Sequence, residues 1–242
     1  MEAKTFLTAE WRKLIMAQYA VDTTMLAPYL PAGTELDLFH GRCLVSLVAF
    51  LFDRVRVKGV AIPFHTRFEE INLRFYVRRS DADGTSRRGV VFTREFTSRR
   101  AITVLANAFY EEPYATVPTR HTISHTPEAL RVRYEWKHRE SWQSLAAEAA
   151  PEPLPIAEGS IEEFITEHYW GFTKRSDGST SQYQVEHPRW MTYPMAGWTV
   201  DVDFGALYGA AFAPLNQQQP ESVLLAEGSA VSVGSGSQLT VV

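Results

Sequence analysis

A two-residue alternation of apolar and polar side chains distinguishes the stretch Phe64 to Arg79 from the rest of the chain. Because successive strand residues point to opposite faces, this alternation predicts a half-buried β-strand. The polar face presents a carboxylate, an amide, a guanidinium and a phenol in a row, and each of these groups can orient a ligand. The apolar face consists of Ile71, Leu73, Phe75 and Val77, and the polar face consists of Glu70, Asn72, Arg74 and Tyr76.

Similar patterns predict the other elements. An Asp-Gly turn within residues 80–89 leads to a return strand at Val90–Phe96, so the two strands are expected to form a hairpin. The nearly continuous apolar run Cys43–Phe52 predicts a strand that is buried on both faces. Helices are predicted at 98–110 and at 161–170, the second capped by Ser160. Residues 1–13 are expected to form a leader, and further strands are predicted at 14–21, 34–39, 121–126, 130–138, 141–148, 182–187, 190–204 and 223–233.

This order of elements lacks the regular strand–helix alternation of a parallel, doubly wound sheet. We therefore predict a mainly β (α+β) fold, an antiparallel barrel-like or two-sheet body with a few outer helices. Such a body encloses a central cavity when one polar strand face points inward. No segment of residues 1–242 is long and polar enough to be a linker between two domains, so a single domain is expected.

Composition narrows the classes of partner and cofactor. The formal net charge of −4 argues against a nucleic-acid partner, which requires a clustered basic surface. No apolar window is long enough for a membrane span and the first residues lack a signal-peptide core, so no membrane partner and a cytoplasmic location are expected. The seven histidines lack the spacing of a metal site, and no glycine-rich nucleotide motif occurs. No metal and no cofactor are therefore expected.

The polar face of the Phe64–Arg79 strand is the strongest candidate for a site. If that face lines a cavity, Arg74 can hold a carboxylate through two parallel hydrogen bonds. Glu70 can act as the catalytic acid or base, or serve only as the partner of the arginine. The alternative is an exposed face, on which Glu70 and Arg74 form a surface pair that contributes little to stability. Gln18 and Arg94 are weaker candidates for the same ligand-binding wall.

Several segments, in this order, resemble the YqjF-like proteins, a family also called DUF2071. The matching segments lie along nearly the whole chain, which makes their order fairly specific. They are Trp11, residues 21–31 (VDTTMLAPYLP), Gly41 with the apolar strand after it, residues 72–77 (NLRFYV), residues 186–190 (EHPRW) and residues 227–233 (EGSAVSV). That family is similar, more distantly, to acetoacetate decarboxylase, which implies a closed or cone-like antiparallel β body around a cavity.

The resemblance to acetoacetate decarboxylase breaks at the nucleophile. That enzyme has an adjacent lysine pair after the strand that corresponds to Val90–Phe96, where this chain has Thr97-Ser98-Arg99-Arg100. Arginine stays protonated in proteins and cannot supply the free amine that a Schiff base requires. The decarboxylase's pocket glutamate is matched by Glu70, whereas its first-strand arginine is replaced by Gln18. Schiff-base decarboxylation is therefore expected to be absent.

These observations leave three functions open. The first is binding of a small carbonyl- or carboxylate-bearing molecule in a central cavity. The second is an enzyme, a lyase, hydratase or isomerase acting on a keto acid, with Glu70 as general acid or base. The third is a structural or interaction protein whose cavity is filled by side chains. Since closed β bodies of this type often assemble, a homodimer is one possible assembly.

Overall fold

Strands make up most of the chain in the computed structural model, which describes residues 5–81 and 84–239. The strands, in chain order, are β1 (Thr5–Val21), β2 (Glu35–Leu36), β3 (Cys43–Val57), β4 (Phe68–Ser80), β5 (Ser86–Thr97), β6 (Tyr114–Thr116), β7 (Thr119–His125), β8 (Leu130–His138), β9 (Ser141–Ala149), β10 (Leu154–Pro155), β11 (Trp170–Lys174), β12 (Thr180–Glu186), β13 (Met191–Tyr193), β14 (Met195–Asp201), β15 (Ser222–Gly234) and β16 (Ser237–Leu239). The α-helices are α1 (Thr23–Leu26), α2 (Arg100–Phe109), α3 (Ile161–Thr166) and α4 (Phe204–Tyr208), and 3-10 helices span Ala27–Tyr29 and Ala210–Gln217.

The larger sheet closes on itself. Its strands follow the order β15, β1, β3, β4, β5, β11, β12, and β12 then pairs with β15 to complete the ring. All these pairings are antiparallel except the one between β5 and β11. The predicted mainly β, barrel-like body is therefore confirmed, and short pairings between β5 and β11 and between β12 and β15 close the ring.

A smaller sheet, in the order β14, β9, β8, β7, packs against the outside of this barrel. The apolar side chains between the two sheets form the larger core cluster, with Leu47 from β3, Leu73 from β4 and Tyr134 from β8 among its fully buried members. A second cluster lies on the inner side of the barrel and includes Met16 and Val48. Strand β3 is therefore buried on both faces, as the apolar run predicts.

Some predicted boundaries were wrong for reasons that lie outside local sequence. Thr5 already belongs to β1, because β15 and β3 pair with it along most of its length, so residues 5–13 are not a leader. Helix α3 ends at Thr166 instead of residue 170, because Trp170 pairs with Gly89 of β5. The predicted strand 190–204 is divided at Pro194 into β13 and β14, which belong to different sheets.

Two helix caps follow their sequence signals. Asp22 accepts a hydrogen bond from the backbone N–H of Thr24 at the start of α1, and Ser160 accepts one from Glu163 at the start of α3. Phe164 and Ile165 of helix α3 belong to the inner core cluster, so their burial holds the helix against the barrel. Helix α2 follows β5 directly and contributes Ile102 to the same cluster. These two helices cover parts of the barrel interior.

Candidate functional site: an acidic cavity inside the barrel

Strand β4 positions the candidate site through its alternation. Its neighbours β3 and β5 hold it in the middle of the barrel wall, so both of its faces are buried. Ile71 and Leu73 point outward into the core between the sheets. Glu70, Asn72 and Arg74 point inward and line a cavity. The two-face prediction is therefore confirmed, but the second face lies inside the barrel and not in solvent.

The cavity has a volume of about 120 Å³. An apolar cavity of roughly 150 Å³ holds a benzene molecule, so this one suits a ligand of about five or six non-hydrogen atoms. Most of its wall is aromatic or aliphatic, and helix α2 contributes Ile102, Leu105 and Ala106. The polar part of the wall is formed by Glu70, Asn72, Arg74, Glu95, Glu112, Tyr110, Tyr114, Thr166, His168, Tyr183 and His187.

Arg74 places a cation in this wall. The residue is only 9% exposed, and its Nη2 donates to the carbonyl oxygen of Ile165 at 3.3 Å and approaches Sδ of Met16 at 3.7 Å. Its Nε has no hydrogen-bond partner among the described residues, and no carboxylate in that part of the chain forms an ion pair with it. A buried charge of this kind is costly unless it is paired, so the guanidinium is ready to receive an anion.

Glu70 is a carboxyl group held by two donors. Tyr114 Oη donates to its Oε2 at 2.6 Å, and Asn72 Nδ2 donates to its Oε1 at 3.2 Å. Burial raises the pKa of Glu70 to about 7, although these hydrogen bonds and the charge of Arg74 act in the opposite direction. A carboxyl group with this pKa is populated in both protonation states near neutral pH. Glu70 therefore has the geometry and the acidity of a general acid or base.

Glu95 and Glu112 complete a cluster of three buried carboxyl groups that the sequence reasoning missed. Both line the cavity, and they are 1% and 7% exposed. Burial raises the pKa of Glu95 well above its usual value and that of Glu112 to about 8, and the carboxyl groups reinforce each other's shifts. Like charges in one apolar site cannot all be ionised, so the cluster retains protons at neutral pH.

Two tyrosine hydroxyls connect to this cluster. Tyr114 donates to Glu70, and Tyr183 donates to Oε1 of Glu112 in a short hydrogen bond. Burial and the neighbouring carboxyl groups raise the pKa of both phenols well above their usual value, so both remain protonated donors. Tyr183 also fixes its position by packing against Tyr110, with the ring centroids 4.9 Å apart. The phenols therefore hold the carboxyl oxygens in defined positions.

A β-bulge explains why Glu95 was missed and where Arg94 lies. In the pairing of β5 with β4, Phe92 is opposite Arg74, whereas Arg94 is opposite Leu73, so Thr93 is an extra residue. The bulge reverses the alternation and turns Glu95 toward the cavity. Arg94 points to the other side, where its Nη1 donates to the carbonyl oxygen of Leu207 at 3.0 Å. Arg94 is therefore absent from the residues that line the cavity.

Gln18 and Tyr76 share the inner side of the barrel but lie beyond the end of the cavity. Tyr76 is 1% exposed and its hydroxyl is 2.6 Å from Oγ of Ser46. Gln18 is fully buried in β1, where its Oε1 accepts a hydrogen bond from Ser222 at 2.7 Å. Neither residue belongs to the cavity wall, although the Nε2 of Gln18 lacks a partner among the described residues. The structure thus brings Glu70, Asn72 and Arg74 together in the cavity wall and leaves Gln18 and Arg94 outside it. Tyr76 is not a wall residue, but the centre of its ring lies 5.7 Å from the guanidinium carbon of Arg74.

His168 is a further wall residue that sequence reasoning did not select. Its Nε2 is 3.1 Å from Oδ2 of Asp37, which also accepts a hydrogen bond from Nε of Arg88 at 2.7 Å. Burial lowers the pKa of His168 to about 4, so the imidazole is neutral at physiological pH. Its neighbours Tyr76 and Phe164 pack against the ring. Asp37 and Arg88 therefore hold a neutral histidine in the cavity wall.

No lysine occurs among the described residues that line the cavity. Arg99 and Arg100 also lie outside this wall, and Arg99 donates to the carbonyl oxygen of Arg67. In residues 5–81 and 84–239, no three histidine, cysteine or acidic side chains are arranged to hold a metal ion. None of the helices in those ranges is both long and apolar enough to cross a membrane.

The sequence of this chain matches a known protein family. The family model of DUF2071, described as an uncharacterized conserved protein, matches residues 8–230. The chain belongs to the DUF2071 family. Uncharacterized protein YqjF of Bacillus subtilis (strain 168) is a relative that is 28% identical over 105 residues, which is 43% of this chain and 41% of that protein. The matched region therefore spans less than half the length of that DUF2071 relative.

Solved structures show that this DUF2071 chain has the acetoacetate-decarboxylase-like fold. An acetoacetate decarboxylase-like enzyme from Sphingomonas wittichii RW1 superimposes with a TM-score of 0.66 at 12% identity, covering 99% of this chain and 95% of the other. The enduracididine biosynthesis enzyme MppR, complexed with pyruvate, superimposes with a TM-score of 0.65 at 11% identity, covering 99% and 92%. At these identities the similarity establishes the fold alone.

Proposed function

We propose that this protein binds a small organic acid with a carbonyl group in the barrel cavity, with Arg74 holding the carboxylate. The observation that carries the proposal is the guanidinium of Arg74 in the cavity wall, with no carboxylate paired to it among the described residues. An incoming carboxylate offers that cation the counterion which the described residues do not supply. The cavity volume of about 120 Å³ is close to that needed by an acid of the size of pyruvate.

Two further observations support this ligand class. The carbonyl oxygen of such an acid can accept a hydrogen bond from the Glu70 or Glu95 carboxyl group when that group is protonated. MppR, which shares the fold, has been solved with pyruvate bound. A Schiff base plays no part in the proposal, because no lysine is among the described wall residues.

Calorimetric titration with pyruvate and acetoacetate tests the proposal. We expect Arg74→Gln to weaken binding at least tenfold, because the charge-assisted hydrogen bonds to the carboxylate are lost. Arg78→Gln is the matched control, since Arg78 lies on the same strand but forms only an exposed pair with Glu35. Binding of neither acid to the unmodified protein, or equal binding by both variants, would contradict the proposal.

The acidity of Glu70 favours a second candidate, catalysis of proton transfer on the same ligand. With a pKa of about 7, its carboxylate can remove a proton from the carbon beside the carbonyl, and the C–H electron pair then moves into an enolate. NMR of pyruvate in D2O measures this step as loss of the methyl proton signal. We expect Glu70→Gln to abolish the exchange and to retain binding, whereas no exchange with the unmodified protein leaves only the binding function.

A further inference from the structure

Two buried side-chain oxygens on neighbouring strands line the cavity without a hydrogen-bond partner among the described residues. Asn72 on β4 and Glu95 on β5 are directly opposite in the strand pairing, and both point inward. They are 2% and 1% exposed. Asn72 Oδ1 and Glu95 Oε2 have no hydrogen-bond partner within the described residues. We call these two atoms the acceptor pair, because both accept hydrogen bonds when Glu95 is ionised, and a ligand that satisfies the pair in that state brings donors.

The donors near the acceptor pair are already engaged. The Tyr114 hydroxyl donates to Glu70, and the Tyr183 hydroxyl donates to Glu112. Asn72 Nδ2 also donates to Glu70. A carboxylate ligand has only acceptor oxygens, so its carboxylate leaves the acceptor pair unsatisfied. An ammonium group has three N–H donors and no acceptor, which is the complementary pattern.

The charges of the wall residues also favour a cationic ligand group. Among the described wall residues, three carboxyl groups (Glu70, Glu95 and Glu112) are accompanied by the single guanidinium of Arg74. One guanidinium does not offset the cost of three buried negative charges. A cationic group beside Glu95 offsets part of that cost. The excess of acidic groups therefore favours a ligand with a positive charge.

We propose that the acceptor pair binds a protonated amine, so that the ligand is an amino acid whose ammonium and carboxylate groups lie at opposite ends. The ammonium contacts Asn72 Oδ1 and Glu95 Oε2, and the carboxylate contacts Arg74, which is the part that rests on the proposed function. Asn72 and Arg74 are two residues apart on one strand, a distance of about 6.6 Å along the strand. An acid of the length of 4-aminobutyrate spans this distance.

Binding of an amine should also displace a proton. The ammonium favours the ionised form of the carboxyl groups around it, whereas a carboxylate ligand does not. The side chains that face this region from the surrounding elements are Glu70, Asn72 and Arg74 of β4, Glu95 of β5, Tyr110 and Glu112 after α2, Tyr114 of β6, His168 after α3 and Tyr183 of β12. Proton release therefore distinguishes an ammonium from a second anion at the acceptor pair.

Titration calorimetry at pH 7 in phosphate and in Tris tests this proposal. The ligands are matched pairs of equal chain length, propionate with 3-aminopropionate, butyrate with 4-aminobutyrate, and valerate with 5-aminovalerate, together with butylamine. We expect one amino acid to bind at least tenfold more tightly than its parent acid and to release protons, seen as a buffer-dependent enthalpy. Glu95→Gln should abolish this preference and retain binding of the parent acid.

Glu148→Gln is the control variant, since Glu148 forms an exposed ion pair with Arg131 on the outer sheet. Equal affinity of each amino acid and its parent acid, without proton release, overturns the amine site and leaves the proposed function intact. Binding of butylamine but of none of the parent acids or amino acids supports a cation site at the acceptor pair and overturns the carboxylate role of Arg74. Binding of none of these ligands overturns both. The proton release of the unmodified protein remains decisive if Glu95→Gln does not fold.

Discussion

Glu70 and Arg74 line the same cavity from one face of β4, yet no ion pair joins them in the part of the chain that the structure describes. Tyr114 and Asn72 hold the Glu70 carboxyl oxygens, while Arg74 reaches toward the carbonyl of Ile165. The separation leaves an acid and a cation that are independently available to one ligand. It also means that the guanidinium is maintained at a cost to stability, as is common in binding sites.

We expect Arg74→Met to increase the free energy of unfolding. Methionine fills a similar volume and removes an unpaired buried charge, a change that can stabilise a protein by about 1 kcal/mol or more. Urea denaturation of the unmodified protein and of the variant measures the difference. The control Arg78→Met removes an exposed cation and should change stability by less than about 0.5 kcal/mol. Marked destabilisation by Arg74→Met would show that the arginine is structural.

Stability should fall as the pH rises from 6.5 to 8.5. The pKa values of Glu70 and Glu112 are raised to about 7 and about 8, so each group binds its proton more strongly in the folded state than in the unfolded chain. This stabilisation is complete below about pH 4.5 and is lost as the pH rises through the folded pKa, by at most about 1.4 kcal/mol per pH unit and group.

Between pH 6.5 and 8.5 the titration of His168 does not oppose this loss of stability. The pKa of His168 is lowered to about 4, so His168 increases stability as the pH rises from about 4 to 6.5, and its effect is complete above that range. Thermal denaturation across the window tests the expectation. Glu112→Gln should flatten the pH dependence, because its amide oxygen can still accept the Tyr183 hydrogen bond. An equally steep dependence in that variant would assign the effect to other groups.

Tyr114→Phe should raise the pKa of Glu70 further. The tyrosine hydroxyl favours the ionised carboxylate by donating to it at 2.6 Å, so its removal favours the protonated form. Titration of the glutamate carboxyl carbons by 13C NMR measures the shift. Tyr183→Phe is the matched control, because its hydroxyl donates to Glu112 and its loss should move the pKa of Glu112. A Glu70 pKa that does not change in Tyr114→Phe would contradict the assigned hydrogen bond.

Treatment with acetoacetate and borohydride should leave the mass of the protein unchanged. Reductive trapping requires an imine with a lysine amine, and no lysine lines the cavity in the described residues. Lys13, at the barrel wall, is engaged by Glu227 and Tyr193 instead. Intact-mass spectrometry checks the outcome, with an acetoacetate decarboxylase as the positive control. A stable adduct on any lysine would refute the expectation.

Because a regular strand obeys a period of two, the sequence predicted that Glu70, Asn72, Arg74 and Tyr76 share one face of β4, but not that this face is enclosed or that Tyr76 lies outside the cavity wall. The same rule failed on β5, because the bulge at Thr93 reverses the alternation. Glu95 therefore points into the cavity, and Arg94 points away from it. Such a bulge depends on the pairing with β4 and leaves no local signal in the sequence.

Other parts of the site depend on contacts between distant segments. Glu112 follows α2 in a short connection, and only the folded chain brings it beside Tyr183 of β12, which lies 71 residues further along. The first residues of β1 resemble a leader because their strand character comes from pairing with β15 and β3. Pairing between segments so far apart cannot be read from local propensity.

The hairpin of β11 and β12 is joined to the rest of the barrel by short pairings on both sides. Trp170 and Gly171 alone pair with β5, and Val185 and Glu186 alone pair with β15. Few hydrogen bonds therefore need to break for this segment to separate while the other strands stay paired. Gly171, Tyr183 and Val185 of this hairpin belong to the cavity wall, so we expect the cavity to open on this side when the segment separates.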